Sequence, residues 1–152
     1  MGRKKDIQEI IEKVNNIGIT VDNHDWAGCL RLFVNEPEVD YSSFTGGAGG
    51  KVMASDLVDN WKKFLPGFDF TMHFITNHRV NIDEDSAECF SYIHAIHYIK
   101  GAEGGEMWGV YGTYEHELVK IGKEWKISKM KLNFKHQDGN LNLPALARER
   151  MK

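Results

Sequence analysis

Cysteine is scarce in this chain, long apolar runs are missing, and there is no surplus of basic charge. Cys29 and Cys89 are the only two cysteines in 152 residues. They are too few and too far apart for a disulfide framework or a thiolate zinc site. Each stands among apolar neighbours, which predicts buried thiols rather than nucleophiles. No run reaches the roughly 18 apolar residues of a membrane span. The opening MGRKKDIQEIIEKV begins with basic residues, as a signal peptide does, but Asp6, Gln8, Glu9 and Glu12 interrupt the apolar block that must follow. The cytoplasm is the expected location. With a formal charge of -3, nothing is in excess to neutralise phosphates, so neither nucleic acid nor a membrane is an expected partner. No HExxH or similar ligand set occurs, and the Gly46 to Gly50 cluster lacks the GK[ST] of a phosphate loop. No metal and no cofactor is expected. Repeats and low-complexity blocks are absent as well.

What remains is an ordinary globular balance, with 41% hydrophobic and 27% charged residues. The length suffices for one core and is short for two. Ile7, Ile10, Ile11, Val14 and Ile17 recur at helical spacing, with Asp6 as a cap. After Gly18, Trp26, Cys29, Leu30 and Phe33 continue a second helical pattern, with Asp25 as its cap and Asn35, Glu36 and Pro37 at its end. Val39 to Phe44 reads as a short strand, and the glycines after it as a mobile loop at a pocket mouth. Ser55 is placed to cap a helix that ends before Pro66.

From Asp69 the period changes to two. Phe70 to Ile82 and Ala87 to Ile99 read as one hairpin, and Trp108 to Ile121 and Trp125 to Phe134 as another. Helices first and strands later predict an α+β domain over residues 1–138. The tail over 139–152 reads as polar and loosely packed, or as a cover for a pocket or a neighbour through Leu141, Leu143, Leu146 and Ala147. Alternation puts Thr71, His73, Ile75, Asn77 and Arg79 on one side of the first long strand. On the second, Ala87, Cys89, Ser91, Ile93, Ala95 and His97 share a side whose small residues leave volume for a pocket. Phe90, Tyr92, His94, Ile96 and Tyr98 face the other way, a strip large enough to predict a homodimer or homotrimer. His94 and His97 point apart, which makes them poor joint ligands for a metal.

The runs Val21-Asp22-Asn23-His24-Asp25-Trp26, Val39-Asp40-Tyr41-Ser42-Ser43-Phe44 and Thr71-Met72-His73-Phe74-Ile75 resemble the scytalone dehydratase family. So do His97 and the closing Glu124-Trp125-Lys126-Ile127. The resemblance spans about residues 5 to 138. It implies the SnoaL-like group of the nuclear transport factor 2-like fold: a curved antiparallel sheet wrapped by helices into a cone-shaped α+β barrel. It also implies that Asp22 orients His97, that His73 is the general base and acid, and that Tyr41 holds a water against the substrate carbonyl. Where a second tyrosine stands in the family, this chain has Val21. The family's serine and asparagine fall near Gly112 and Tyr114.

The catalytic candidates are thus His73, His97, Asp22 and Tyr41. Tyr114, Trp26, Ile93 and Asn77 are the candidate substrate-binding residues. One histidine near neutral pKa can both remove a carbon-bound proton and protonate a leaving hydroxyl. The expected activity is a cofactor-independent dehydratase, a hydro-lyase acting on a small cyclic or polyketide-like hydroxy-carbonyl compound. An isomerase or cyclase using the same pocket, or a small-molecule-binding module without catalysis, is the alternative.

Overall fold

The computed structural model describes residues 2–152. Helix α1 (Gly2–Asp22) and short helix α2 (Trp26–Leu30) precede strand β1 (Phe33–Asp40), helix α3 (Ser42–Thr45), strand β2 (Gly50–Lys51) and helix α4 (Ala54–Lys62). A 3-10 turn (Leu65–Gly67) leads into four long strands, β3 (Phe70–Asp83), β4 (Ser86–Tyr98), β5 (Met107–Ile121) and β6 (Glu124–Gly139), and a last helix, α5 (Leu143–Arg150). The strands form one sheet in the order β2-β1-β6-β5-β4-β3. All neighbours are antiparallel except β1 and β6. The sheet curves without closing, and α1 packs along its concave side against β3 and β6. This is the α+β class that the element order predicts and the cone that the resemblance implies.

Several boundaries differ from the sequence reading, each for a local reason. Gly18 does not break the first helix. A Cβ there would lie 2.9 Å from the His73 Cβ and 3.1 Å from its carbonyl oxygen, so the glycine is what lets α1 run against β3. Asp6 lies inside α1 rather than at its cap, and accepts hydrogen bonds from the Trp125 indole (3.0 Å) and Lys120 (3.1 Å). Asp25 does cap α2, accepting from the Gly28 amide at 2.9 Å. Helix α4 starts one residue before Ser55, behind Met53. The short strand falls at Phe33–Asp40, earlier than 39–44, because the buried Pro37 sits where the β1–β6 register shifts and no ladder donor is required.

Strand β4 alternates as predicted. Ala87, Cys89, Ser91, Ile93, Ala95 and His97 are all buried, while their neighbours face outward. Strand β3 does not keep one parity. Thr76 pairs with Tyr92 and Arg79 with Phe90, so Asn77 and His78 together oppose Ser91 in a β-bulge. Asn77 takes φ 59 there, a left-handed conformation that asparagine tolerates better than most residues. Before the bulge Thr71, His73 and Ile75 face inward; after it Val80 and Ile82 do, and Asn77 and Arg79 are exposed. The outer face carries Phe70, Met72, Phe74 and Tyr92, each 41–52% exposed.

The segment after Gly139 is packed, not loose. Leu143 and Ala147 are fully buried, and Arg150 donates to Asp69 at 2.8 Å. A Cβ on Gly67 would strike the Ala147 carbonyl, so this glycine gives α5 its close seat on the 3-10 turn. No helix among the described residues is long and apolar enough to cross a membrane.

Candidate active site

A cavity of about 440 Å³ opens at the wide end of the cone. Ile17 and Val21 of α1, Trp61 and Phe64 near α4, and Ile93, Ala95, Val110 and Leu132 of the sheet give it apolar walls. Phe44 and Thr45 of α3, together with Pro144 and Arg148 of α5, close over it. The Gly46 to Gly50 loop itself does not reach the wall. Nor do Ala87, Cys89 and Ser91: the small side of β4 lines the cavity only from Ile93 to His97. Burial lifts both thiols to about 11, which leaves them inert at neutral pH.

Asp22 ends α1 against the start of β3. Its Oδ1 lies 2.7 Å from His73 Nδ1 and accepts from the Thr71 hydroxyl at 2.8 Å, and its Oδ2 accepts from the His73 amide at 2.8 Å. A carboxylate at a helix C-terminus is disfavoured by the helix dipole, and these three donors offset that cost. Because a carboxylate oxygen accepts, the hydrogen of this contact lies on His73 Nδ1, which leaves Nε2 for the cavity.

The resemblance implied that Asp22 orients His97. The structure joins Asp22 to His73 instead. The close seat over Gly18 brings α1 onto β3, whereas His97 stands one strand further on, opposite Thr71. His97 Nδ1 is held by the Trp108 carbonyl at 3.0 Å. A carbonyl also only accepts, so His97 too has its Nδ1 protonated and its Nε2 free. Burial, and then the nearby His73, lower the His97 pKa to about 4. It is therefore neutral at neutral pH. The rings of His73 and His97 lie 5.9 Å apart, nearly perpendicular.

Tyr41 and Tyr114 are neighbours on the cavity wall. Burial raises the pKa of both phenols, and for Tyr41 the Tyr114 phenol adds to the rise. Both keep their hydrogens at neutral pH. The Tyr41 hydroxyl also lies 3.1 Å from the Met130 sulfur, a weak acceptor that a substrate oxygen can displace. Among the described residues no group of three or more His, Cys, Asp or Glu side chains is gathered to hold a metal ion.

The family profile described as SnoaL-like domain matches residues 3–131. The chain belongs to this family. The SnoaL-like domain is similar over its length to the Kfla4162 protein of Kribbella flavida, at 28% identity and TM-score 0.86, covering 96% of this chain and 99% of that one. A provisionally assigned scytalone dehydratase of Novosphingobium aromaticivorans shares 22% identity, with 90% and 89% coverage and TM-score 0.75. The LinA-type3 hexachlorocyclohexane dehydrochlorinase of Novosphingobium barchaimii shares 18%, with 90% and 91% coverage and TM-score 0.73. At these last two identities the likeness shows the nuclear transport factor 2-like fold alone. No curated protein matches the chain.

Of the predicted residues, this SnoaL-like domain brings His73, His97, Tyr41, Tyr114 and Ile93 onto one cavity wall, with Asp22 behind His73. Val21 lines it as well. Trp26 does not: it starts α2 and stacks on His24 at 5.7 Å, outside the cavity. Asn77 is turned out by the bulge and accepts from Thr76. Sequence reading missed Trp108, Gln137 and Arg148. For Arg148 a signal exists: Leu143, Leu146 and Ala147 keep helical spacing behind Pro144, which puts Arg148 one turn past the proline.

Proposed function

We propose that this domain is a cofactor-independent hydro-lyase that removes water from a small cyclic hydroxy-carbonyl compound. The observation that carries the reading is the Asp22–His73 pair opening onto a largely apolar cavity. His73 Nε2 takes the proton from the carbon beside the carbonyl, and Asp22 stabilises the imidazolium that forms. The electron pair of that C–H bond passes into an enolate, whose oxygen accepts from the Tyr41 and Tyr114 phenols. As the C=C bond forms, the C–O bond to the β-hydroxyl breaks, and the leaving oxygen takes the proton back from His73 as water. Atoms and charge balance, and the enzyme returns to its starting state. His97, neutral and with Nε2 free, accepts a hydrogen bond from the substrate hydroxyl and orients it. The low dielectric of the cavity strengthens each of these contacts.

His73→Ala is expected to keep the fold and to lower turnover by about 10³-fold. Mass-shift assays on cyclic β-hydroxy ketones test this. Unchanged turnover would falsify the assignment, and a product of equal mass would make the enzyme an isomerase using the same proton transfer. The exposed aromatic outer face supports assembly as a dimer or trimer, and a monomer by light scattering at micromolar concentration contradicts it.

A further inference from the structure

Arg148 stands out among the charges of α5. Its neighbours are paired, Arg150 with Asp69 and Glu149 with Lys152. The Arg148 guanidinium has no hydrogen bond or ion pair among the described residues. It lies instead on the Phe64 ring, 4.4 Å from the centroid, at the cavity mouth. The scaffold beneath it is fixed, because Leu143 and Ala147 are fully buried. Phe64 in turn contacts Phe68 (5.3 Å), and Phe68 contacts His97 (4.9 Å). The guanidinium is thus linked to His97 by a run of aromatic contacts, edge-on between Phe64 and Phe68 and tilted between Phe68 and His97.

The sign of the cavity is equally one-sided. Among the described residues no carboxylate side chain lines it, Asp22 standing behind His73, and Arg148 is the only permanently charged lining group. Beside it, Gln137 spends its carbonyl oxygen on the Trp108 indole at 2.9 Å, which leaves its amide hydrogens as donors. Thr45 also lines the cavity, but its one hydroxyl hydrogen goes to the Tyr41 carbonyl at 3.2 Å. A planar cation and an amide donor lining the same cavity match a carboxylate.

We infer that Arg148 selects the substrate: the natural ligand carries a carboxylate at the end of the molecule remote from the reacting carbon, and the guanidinium binds it. This rests on the reading of the cavity as a substrate site and sharpens it to an aromatic or alicyclic carboxylate. The apolar walls take the ring, the Asp22–His73 pair faces the reacting carbon, and the acid group points to the mouth, where water still reaches it.

The test uses two probes of one shape, 2-naphthoate and 2-naphthamide, titrated into the full chain with calorimetry or indole fluorescence as readout. The native protein is expected to bind the naphthoate about fivefold more tightly, as suits a partly exposed ion pair. Arg148→Gln is expected to abolish that preference, and Arg148→Glu to invert it. Circular dichroism checks that each variant is folded. Equal binding of the two probes, a preference that survives in Arg148→Glu, or no binding of either at millimolar concentration overturns the inference. Binding requires no proton transfer, so this result and the His73→Ala turnover result stand or fall separately.

Discussion

Two pairs of histidines line the inside of the same sheet and differ in what holds them. At the open end, His73 is tied to Asp22 and His97 to the Trp108 carbonyl, and both free nitrogens face a cavity. At the narrow end, His116 is 1% exposed with neither ring nitrogen bonded, and the buried His78 Nε2 and Ser91 Oγ have no partner either. Burial and the nearby His78 push the His116 pKa down to about 3. The lesson is that burial alone does not suit a histidine to the proton transfer proposed above. That role, as proposed, asks for a carboxylate behind one nitrogen and open volume in front of the other, and His73 has both.

The sharpest break between the two ends is expected in turnover. Asp22→Asn should lower it by about 10²- to 10⁴-fold, whereas His116→Leu should leave it unchanged. Equal losses in the two variants, measured on whichever hydroxy ketone proves active, would erase the distinction drawn here.

Acid should weaken both ends through the same physics. His97 and His116 have pKa values below the ordinary 6.5 when folded, so the unfolded chain takes up their protons first. Their contribution is complete above about 6.5 and is lost as pH falls towards about 4 for His97 and about 3 for His116. For His97 the loss amounts to about 3 kcal/mol. Urea titrations between pH 7 and 5, above the carboxylate range, should already show falling stability; a flat profile there contradicts the buried neutral state of both rings.

A smaller effect is expected where α1 meets β3. Gly18→Ala gains helix propensity but forces a methyl against His73. A net loss of about 1 to 2 kcal/mol should follow, together with slower turnover as Asp22 is pushed from its partner. A more stable variant with full activity would show that the close seat is not needed. Last comes the narrow end: His116→Leu removes two unbonded nitrogens and should raise stability by about 1 kcal/mol. A clear loss in the denaturation midpoint would reveal an internal water bonded to that ring.

The fold was legible because its signals are periodic. Strand β4 alternates without interruption, and every inward residue could be read from parity alone. Parity failed on β3, since Asn77 inserts a residue that no pattern of hydrophobicity marks. The histidines and the nearby tyrosines were recognisable as a set only through the family resemblance, and which histidine meets Asp22 depends on how closely α1 approaches β3, which is decided by Gly18. Alone in the sequence, this glycine reads as a helix break. The C-terminal helix was missed because Leu143 and Ala147 bury against the 3-10 turn around Gly67, a contact far from them in the chain.

The bulge at Asn77 and His78 has a consequence for how this domain can change in length. Elsewhere in β3 the loss of one residue would exchange inward for outward side chains, bringing Met72 to the position of His73 or Arg79 to that of Val80. Loss of Asn77 alone would leave every later side chain on its present face, because two residues there already span the place of one. What would go is the extra bend that a bulge gives its strand. The bulge is thus the sheet's expansion joint: the one point in β3 where an insertion or deletion alters the curvature of the cone while sparing its chemistry.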